Sequence, residues 1–429
     1  MKFKYQLDEK LSPFPLLMYG LQWFLVSIPM VLIIGAIVSN IQGFDLASQT
    51  LYTQKLLGVM GIGLITQVLF GHKLPVVIGP ASVLLIGILA AGASNASQIN
   101  TAILIGGALL FIVYASNLLS KIQFIFTTRI VIVIMALIAF TLAPVIIDLI
   151  FEQGNALFSL SFAIGTVLLM TLANTLLKGV WNSIVVLLAL IIGTAVYYFA
   201  MGAPVKDMSA ATNTMSSFFA FPLKFDWGIT LSFVFCYIAL LVNQLGSVQS
   251  VGQALGAKNM DKRGARSVGV AGLLNMASGS MGIIGPVDFS LSLGLINATG
   301  CASRFALIPA GVGLLACAFF PAAIDLLDRI PHMVMGSILL YIMSSQLSAS
   351  FQMVANSKAV KNFNHGIIIS MPLMIAILVA FMPKELSNEI PALIRPIVAN
   401  GFVMGVLSVL ILEHLVFRKK KDKSVVNKE

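Results

Sequence analysis

Charge is what this chain has least of. Only 10% of its 429 residues are charged while 59% are hydrophobic, and the mean hydropathy is +0.99. A chain so composed cannot present a wettable surface all round, which excludes an ordinary soluble globular domain. Cysteine is nearly absent as well. Cys236, Cys301 and Cys317 are scattered through apolar sequence without metal-site or bridge spacing, so they read as small core residues. Histidine is as scarce: His72, His332 and His365 fall at loop edges and His414 lies near the tail, none beside a suitably spaced acid. A membrane-embedded enzyme needs converging acid, base or metal groups, so no catalytic site, metal or cofactor is expected.

What is present is a succession of apolar blocks of roughly 18 to 25 residues, each able to cross about 30 Å of hydrocarbon as a helix. Read against the turn signals, they place spans at 14–38, 51–70, 76–92, 99–119, 124–147, 155–176, 179–201, 227–248, 266–284, 287–299, 303–321, 331–348, 365–383 and 394–417. The expected fold class is an all-α polytopic membrane protein of about fourteen transmembrane spans. The polar start MKFKYQLDEKLSPF precedes a span-length run, so no cleavable signal peptide is expected and the first span serves as the insertion signal.

The net charge of +10 gathers at membrane edges, most densely in Arg418–Lys423. That distribution marks topology and lipid-headgroup contact rather than a nucleic-acid partner. With the N-terminus inside, the cytoplasmic loops carry Lys73, Lys121, Lys178, Lys258, Lys262, Arg263, Arg266, Arg304, Lys358, Lys361 and the basic tail. The opposite loops balance cations with acids, as in Asp45 with Lys55, Lys206 with Asp207, and Lys384 with Glu385 and Glu389. Both termini are therefore expected in the cytoplasm, with the chain multi-pass in a bacterial cytoplasmic membrane. Asp148, Glu152, Asp325 and Asp328 fall in outer loops as solvated charges, and Arg129 is placed to snorkel to the cytoplasmic interface.

The piece from about 202 to 226 separates residues 1–201, with seven spans, from 227–417, with seven more, followed by the tail 418–429. An odd number of spans inverts the second half, the construction of secondary transporters whose site lies where discontinuous helices meet at the midplane. The third and tenth spans are unusually short and correspond in the two halves. In the tenth, Val287, Phe289, Leu291 and Leu293 alternate with Asp288, Ser290 and Ser292, the period of a strand, before a half-helix can resume after Gly294. In the third, Leu74 to Ile78 is extended, and Gly79-Pro80 offers a joint and a proline for a helix's first turn.

Extended backbone at membrane depth has to be paired or line a cavity. Two such segments can pair, aiming the positive ends of their half-helices at the crossing. Candidate substrate-binding residues are Asp288, Ser290 and Ser292 on the tenth span and Ser82 on the third. Asn243, Gln244, Ser247 and Ser250 add a polar face of the eighth span, and Gln22 lies beside Trp23 in the first. An intramembrane carboxylate is costly and usually functional, which makes Asp288 the proton-coupling candidate.

These residues resemble the nucleobase-ascorbate transporter family, also called nucleobase:cation symporter 2 or the uracil-xanthine permeases. The resemblance spans essentially the whole chain and is carried by Gly294-Leu-Ile-Asn-Ala-Thr299 with Ala302-Ser303-Arg304, Gln22-Trp23, Lys73-Leu-Pro75 with Gly79, and Ile330-Pro-His-Met-Val-Met-Gly336. It implies two inverted seven-span repeats whose third and tenth spans pair a strand with a half-helix. It further implies a core domain of about 14–120 plus 227–322 moving against a gate domain of about 121–201 plus 325–417, and a homodimer. It also implies proton symport of a nucleobase such as uracil or xanthine. The family's eighth-span glutamate corresponds to Asn243, and its tenth-span acid or amide to Leu291, next to Ser292. Both usual carboxylates are therefore missing, and Asp288 lies three residues earlier.

The competing reading is a sulfate-type or bicarbonate-type anion transporter on the same architecture, favoured by the missing glutamates. Against it, neither short span contains a cation, so an anion would be held by helix N-termini alone. A passive channel is the remaining alternative.

Overall fold

A computed structural model describes residues 3–92, 96–122, 127–152, 155–178, 181, 184–202, 222–289, 292–320, 330–391 and 394–417. The first half contributes α1 (Pro13–Ile41), α2 (Leu46–Leu69), β1 (Val77–Pro80), α3 (Ser82–Ala91), α4 (Ala96–Ala115), α5 (Thr128–Thr141), α6 (Ala143–Phe151), α7 (Ala156–Leu176) and α8 (Val185–Met201). The second contributes α9 (Trp227–Ala254), α10 (Met260–Met281), β2 (Pro286–Phe289), α11 (Ser292–Thr299), α12 (Leu307–Ala318), α13 (His332–Ser357), α14 (Phe363–Ala380) and α15 (Gly401–Ile411). Local chemistry sets several of these boundaries. Asp45 caps α2 by accepting the Ser48 N–H at 3.0 Å, and Asp226 caps α9 by accepting the Ile229 N–H at 2.8 Å. Pro144, with no N–H to give the preceding helix, lies in the first turn of α6, and Leu142 is the joint at which α5 ends and α6 begins.

Among the described residues, seven helical stretches are long and apolar enough to cross a membrane, and four shorter apolar helices accompany them. The blocks expected at 51–70 and 266–284 are helices of span length, α2 and α10, but fall outside that set. Several of their polar side chains have protein partners, among them Gln67 and Ser267. Lys55, expected to balance Asp45 on the outer side, is buried within α2 and donates from Nζ to the Met281 carbonyl at 3.1 Å. The dividing piece at 203–221, Asp325 and Asp328, and the basic tail at 418–429 lie outside the described residues.

Helices α1, α2, α9 and α10 pack against the two strands, and α3, α4 and α12 pack on those helices, while α5 to α8 pack with α13, α14 and α15. Packing in one half recurs in the other. The α4–α10 contact has its counterpart in α2–α12, α4–α9 in α1–α12, α1–α2 in α9–α10, and α5–α14 in α7–α13. The α4–α10 seam is tight because both helices lack side chains there: a Cβ on Gly107 would lie 2.5 Å from the Met276 nitrogen, and one on Gly272 2.6 Å from the Phe111 nitrogen. The chain's start is also tied down. Lys4 N–H donates to the Gly300 carbonyl, Tyr5 bridges Cys301 in parallel, and Arg304 holds Asp8 at 2.7 Å.

Candidate functional site

The site begins with two strands too short to form a sheet of their own. They pair antiparallel, Val77 with Phe289, Ile78 with Asp288, Gly79 with Val287 and Pro80 with Pro286, so each satisfies the other's backbone in the interior. Three further bonds lock the pair. The Ser292 hydroxyl accepts the Val77 N–H at 2.8 Å and donates to the Phe289 carbonyl at 3.0 Å. Asn275 of α10 donates to the Pro286 carbonyl at 3.0 Å and accepts the Tyr237 hydroxyl at 2.8 Å. Gly79 has no side chain where the ring of Phe289 lies.

On the Phe289 side of the strands a cavity of about 300 Å³ opens between the two helix groups. Its polar lining comes from Ser82 at the start of α3, Asn243 and Ser250 of α9, and Ser345 and Gln346 of α13. Met30, Val83, Ile138, Phe289, Ile342, Met343 and Ala349 make the rest apolar. The first residues of α3, Ser82 and Val83, line the cavity, while the N–H groups of Leu84 and Leu85 donate to the Ala81 carbonyl. None of the described lining residues is charged.

Alternation of side chains along β2 sends Asp288 to the other side. Its carboxylate is fully buried behind the strand. Oδ2 accepts the Gln244 Nε2–H at 2.7 Å and the Ser267 hydroxyl at 2.9 Å, while the Asp288 N–H donates to Gln244 Oε1 at 2.8 Å. Oδ1 has no partner among the described residues. His72, from the link between α2 and β1, brings Nε2 to 3.6 Å from Oδ2. That distance is too long for a hydrogen bond. Asn243 and Gln244, neighbours turned about 100° apart on α9, thus serve opposite sides of the strand, one facing the cavity and one the carboxylate.

A family model described as "Permease family" matches residues 14–385. The chain belongs to that family, the nucleobase-ascorbate transporters. The permease is 28% identical over 376 residues to the nucleobase transporter PlUacP of Paenibacillus larvae, covering 84% of each chain. It is 24% identical over 426 residues to the xanthine permease of Bacillus subtilis, covering 94% of each. In fold it is similar to the transmembrane domain of the bicarbonate transporter BicA of a cyanobacterium, with a TM-score of 0.64 and 14% identity over 88% of this chain and 98% of that one.

Of the residues expected from sequence, the permease brings Asn243 and Ser82 to the cavity, and places Gln244, Asp288 and Ser292 in the surrounding hydrogen-bond framework. Ser247 is buried in α9, its hydroxyl without a partner among the described residues. Ser290 and Leu291 lie outside the described residues. Gln22 is not among the residues lining the cavity, because α1 runs on to Ile41 and meets it at Met30. The half-helix α11 starts at Ser292, earlier than Gly294, and Pro80 ends β1, leaving Ala81 as the residue before α3.

The expectation that no histidine stands beside an acid is corrected by packing. His72 does lie in a loop, the link after α2, but it is fully buried there with Nε2 3.6 Å from Asp288. His332 pairs with Glu152, and both side chains keep part of their surface exposed. Arg129 makes a two-pronged pair with Glu413, at 2.8 and 2.7 Å. Sequence reasoning also missed Ser267, Ser345 and Gln346. Gln346 and Ser345 had a signal, adjacent polar residues in the middle of an apolar span, whereas Ser267 had none.

Proposed function

We propose that this permease is a secondary transporter of a nucleobase, uracil or a purine such as xanthine, across the bacterial cytoplasmic membrane. One observation carries the reading: an uncharged cavity at the strand crossing with the amides of Asn243 and Gln346 on different helix groups. An amide presents one donor and one acceptor direction, the complement of a lactam edge, so two of them can hold a planar base at two edges without any net charge. The names of the relatives, a nucleobase transporter and a xanthine permease, point the same way.

The packing recurrence supports two inverted repeats of seven spans, fourteen in all, with both termini in the cytoplasm. The helices around the strands are the core, about 14–120 plus 227–322, and the others the gate, about 121–201 plus 325–417. The cavity's position between them suits transport by the core moving against the gate, and a homodimer through the gate completes the assembly. Asp288 is the carrier of a symported proton. Ser290 and Leu291 complete the proposed substrate site and Ser247 and Ser292 its surroundings, with Gln22 farther along α1 from Met30.

The test is uptake of labelled xanthine, uracil, bicarbonate and sulfate by cells lacking their own permeases. Saturable base uptake that a tenfold excess of either anion leaves unchanged is expected. Anion uptake without base uptake overturns the proposal in favour of the anion reading that the resemblance to BicA raises.

A further inference from the structure

The hydrogen bonds around His72 fix its role more narrowly than its nearness to an acid does. Its Nδ1 accepts the Leu74 backbone N–H at 2.9 Å. A backbone amide only donates, so Nδ1 carries no proton, the ring is neutral, and its one proton is on Nε2. That Nε2–H lies 3.6 Å from Asp288 Oδ2 and has no other partner among the described residues. Asp288 is incomplete as well, at Oδ1, although the oxygen that faces Nε2 is Oδ2. A buried polar group without a partner costs free energy in the state that leaves it so.

No other titratable side chain among the described residues contacts this carboxylate. From α9 it meets Gln244, from α10 Ser267, and from β1 only its register partner Ile78. The nearby cations are engaged elsewhere. Arg263 of α10 donates to the carbonyls of His72 and Lys73, at 2.9 and 2.8 Å, and Arg304 to that of Val68 at 2.7 Å. Gln67 of α2 donates to the Ser267 carbonyl at 3.0 Å.

We propose that His72 is the positioning residue that sets the proton affinity of Asp288, by offering or withholding its Nε2–H. The inference rests on the proton-symport reading of this site. In the geometry seen here the donor is withheld and the carboxyl holds its proton on Oδ1, the oxygen without a partner. A closer approach of roughly 0.7 Å would bring Nε2 to hydrogen-bonding distance and give the ionised carboxylate a third donor beside Gln244 and Ser267. The proton then leaves from Oδ1, and no proton is transferred to or from the imidazole.

Two substitutions separate this role from a structural one. His72→Asn keeps an acceptor for the Leu74 N–H but loses the distal donor; His72→Gln reaches the Nε2 position with an N–H but loses that acceptor. Full-length protein in liposomes is assayed with labelled xanthine, or uracil if cells take up only that, for pH-gradient-driven accumulation and for gradient-free exchange between pH 5 and 9. Removing a donor from the ionised form makes deprotonation harder, so the accumulation midpoint of His72→Asn is expected to move alkaline by about one pH unit, a tenfold change in proton concentration. His72→Gln is expected to keep the wild-type midpoint, and both to exchange.

An unmoved midpoint in His72→Asn overturns the inference while leaving symport intact, as does a shift confined to His72→Gln. Wild-type protein that exchanges but ignores the pH gradient overturns the symport reading and this inference together. Should His72→Asn not fold, an alkaline shift in His72→Ser supports the inference and an unmoved midpoint overturns it.

Discussion

Asn243 and Gln244 show how one turn of helix serves two purposes. Asn243 lines the cavity and makes no hydrogen bond to another described side chain, so its amide is free for a ligand. Gln244 spends both amide atoms on Asp288. Their substitutions should therefore fail differently. Asn243→Ala leaves a ligand group unpaired, which costs about 1–3 kcal/mol. The KM for the base is expected to rise about tenfold or more while melting of the purified protein is unchanged, as read by uptake kinetics and thermal scanning. Much of this site was legible in the sequence, because amides and a carboxylate stand out against apolar neighbours. His72 was not, since its partner is distant in the chain and only folding of the link after α2 turns it inward.

At the scale of elements, the strands were the most readable feature and the helix seams the least. A two-residue period is visible in any strand whose faces differ, and β2 has the cavity on one face and a polar cluster on the other. Its end was misplaced because Ser292, polar and in phase with the alternation, is already the first residue of α11. The α4–α10 seam left no comparable pattern, because glycine is common throughout this chain and only the partner helix shows which ones are in contact. A large side chain at Gly107 has to displace the Met276 backbone rather than a rotamer. Gly107→Leu is expected to abolish monodisperse protein in detergent, whereas Gly165→Leu, where a Cβ meets nothing within 4 Å, should purify normally.

For the whole molecule, composition alone indicated a membrane protein, and the charge pattern gave an orientation that rests partly on a tail outside the described residues. It gave nothing about the ties that close the chain on itself. Arg129 lies in the first turn of α5, and Glu413 in the π turn, Leu412–Val416, that follows α15, so their two-pronged pair fastens the first third of the chain to its last helix. Glu413 is nearly buried and Arg129 partly exposed, so the pair lies between a surface and an interior one. Glu413→Gln should cost about 2 kcal/mol, seen as a lower melting temperature in detergent. Adding Arg129→Gln should cost less than the sum of the two single changes.

The strand pair also sets a timetable for the protein's birth. Pro80 is synthesised about 200 residues before its register partner Pro286. At roughly 5–20 residues per second, β1 leaves the ribosome about 10–40 s before anything exists to pair with it. Its bare amides cannot wait in hydrocarbon. The first half must hold that segment near the headgroups, or in the keeping of the insertion machinery, until the second half arrives. The strand pair thus ties completion of the first half to the arrival of the second.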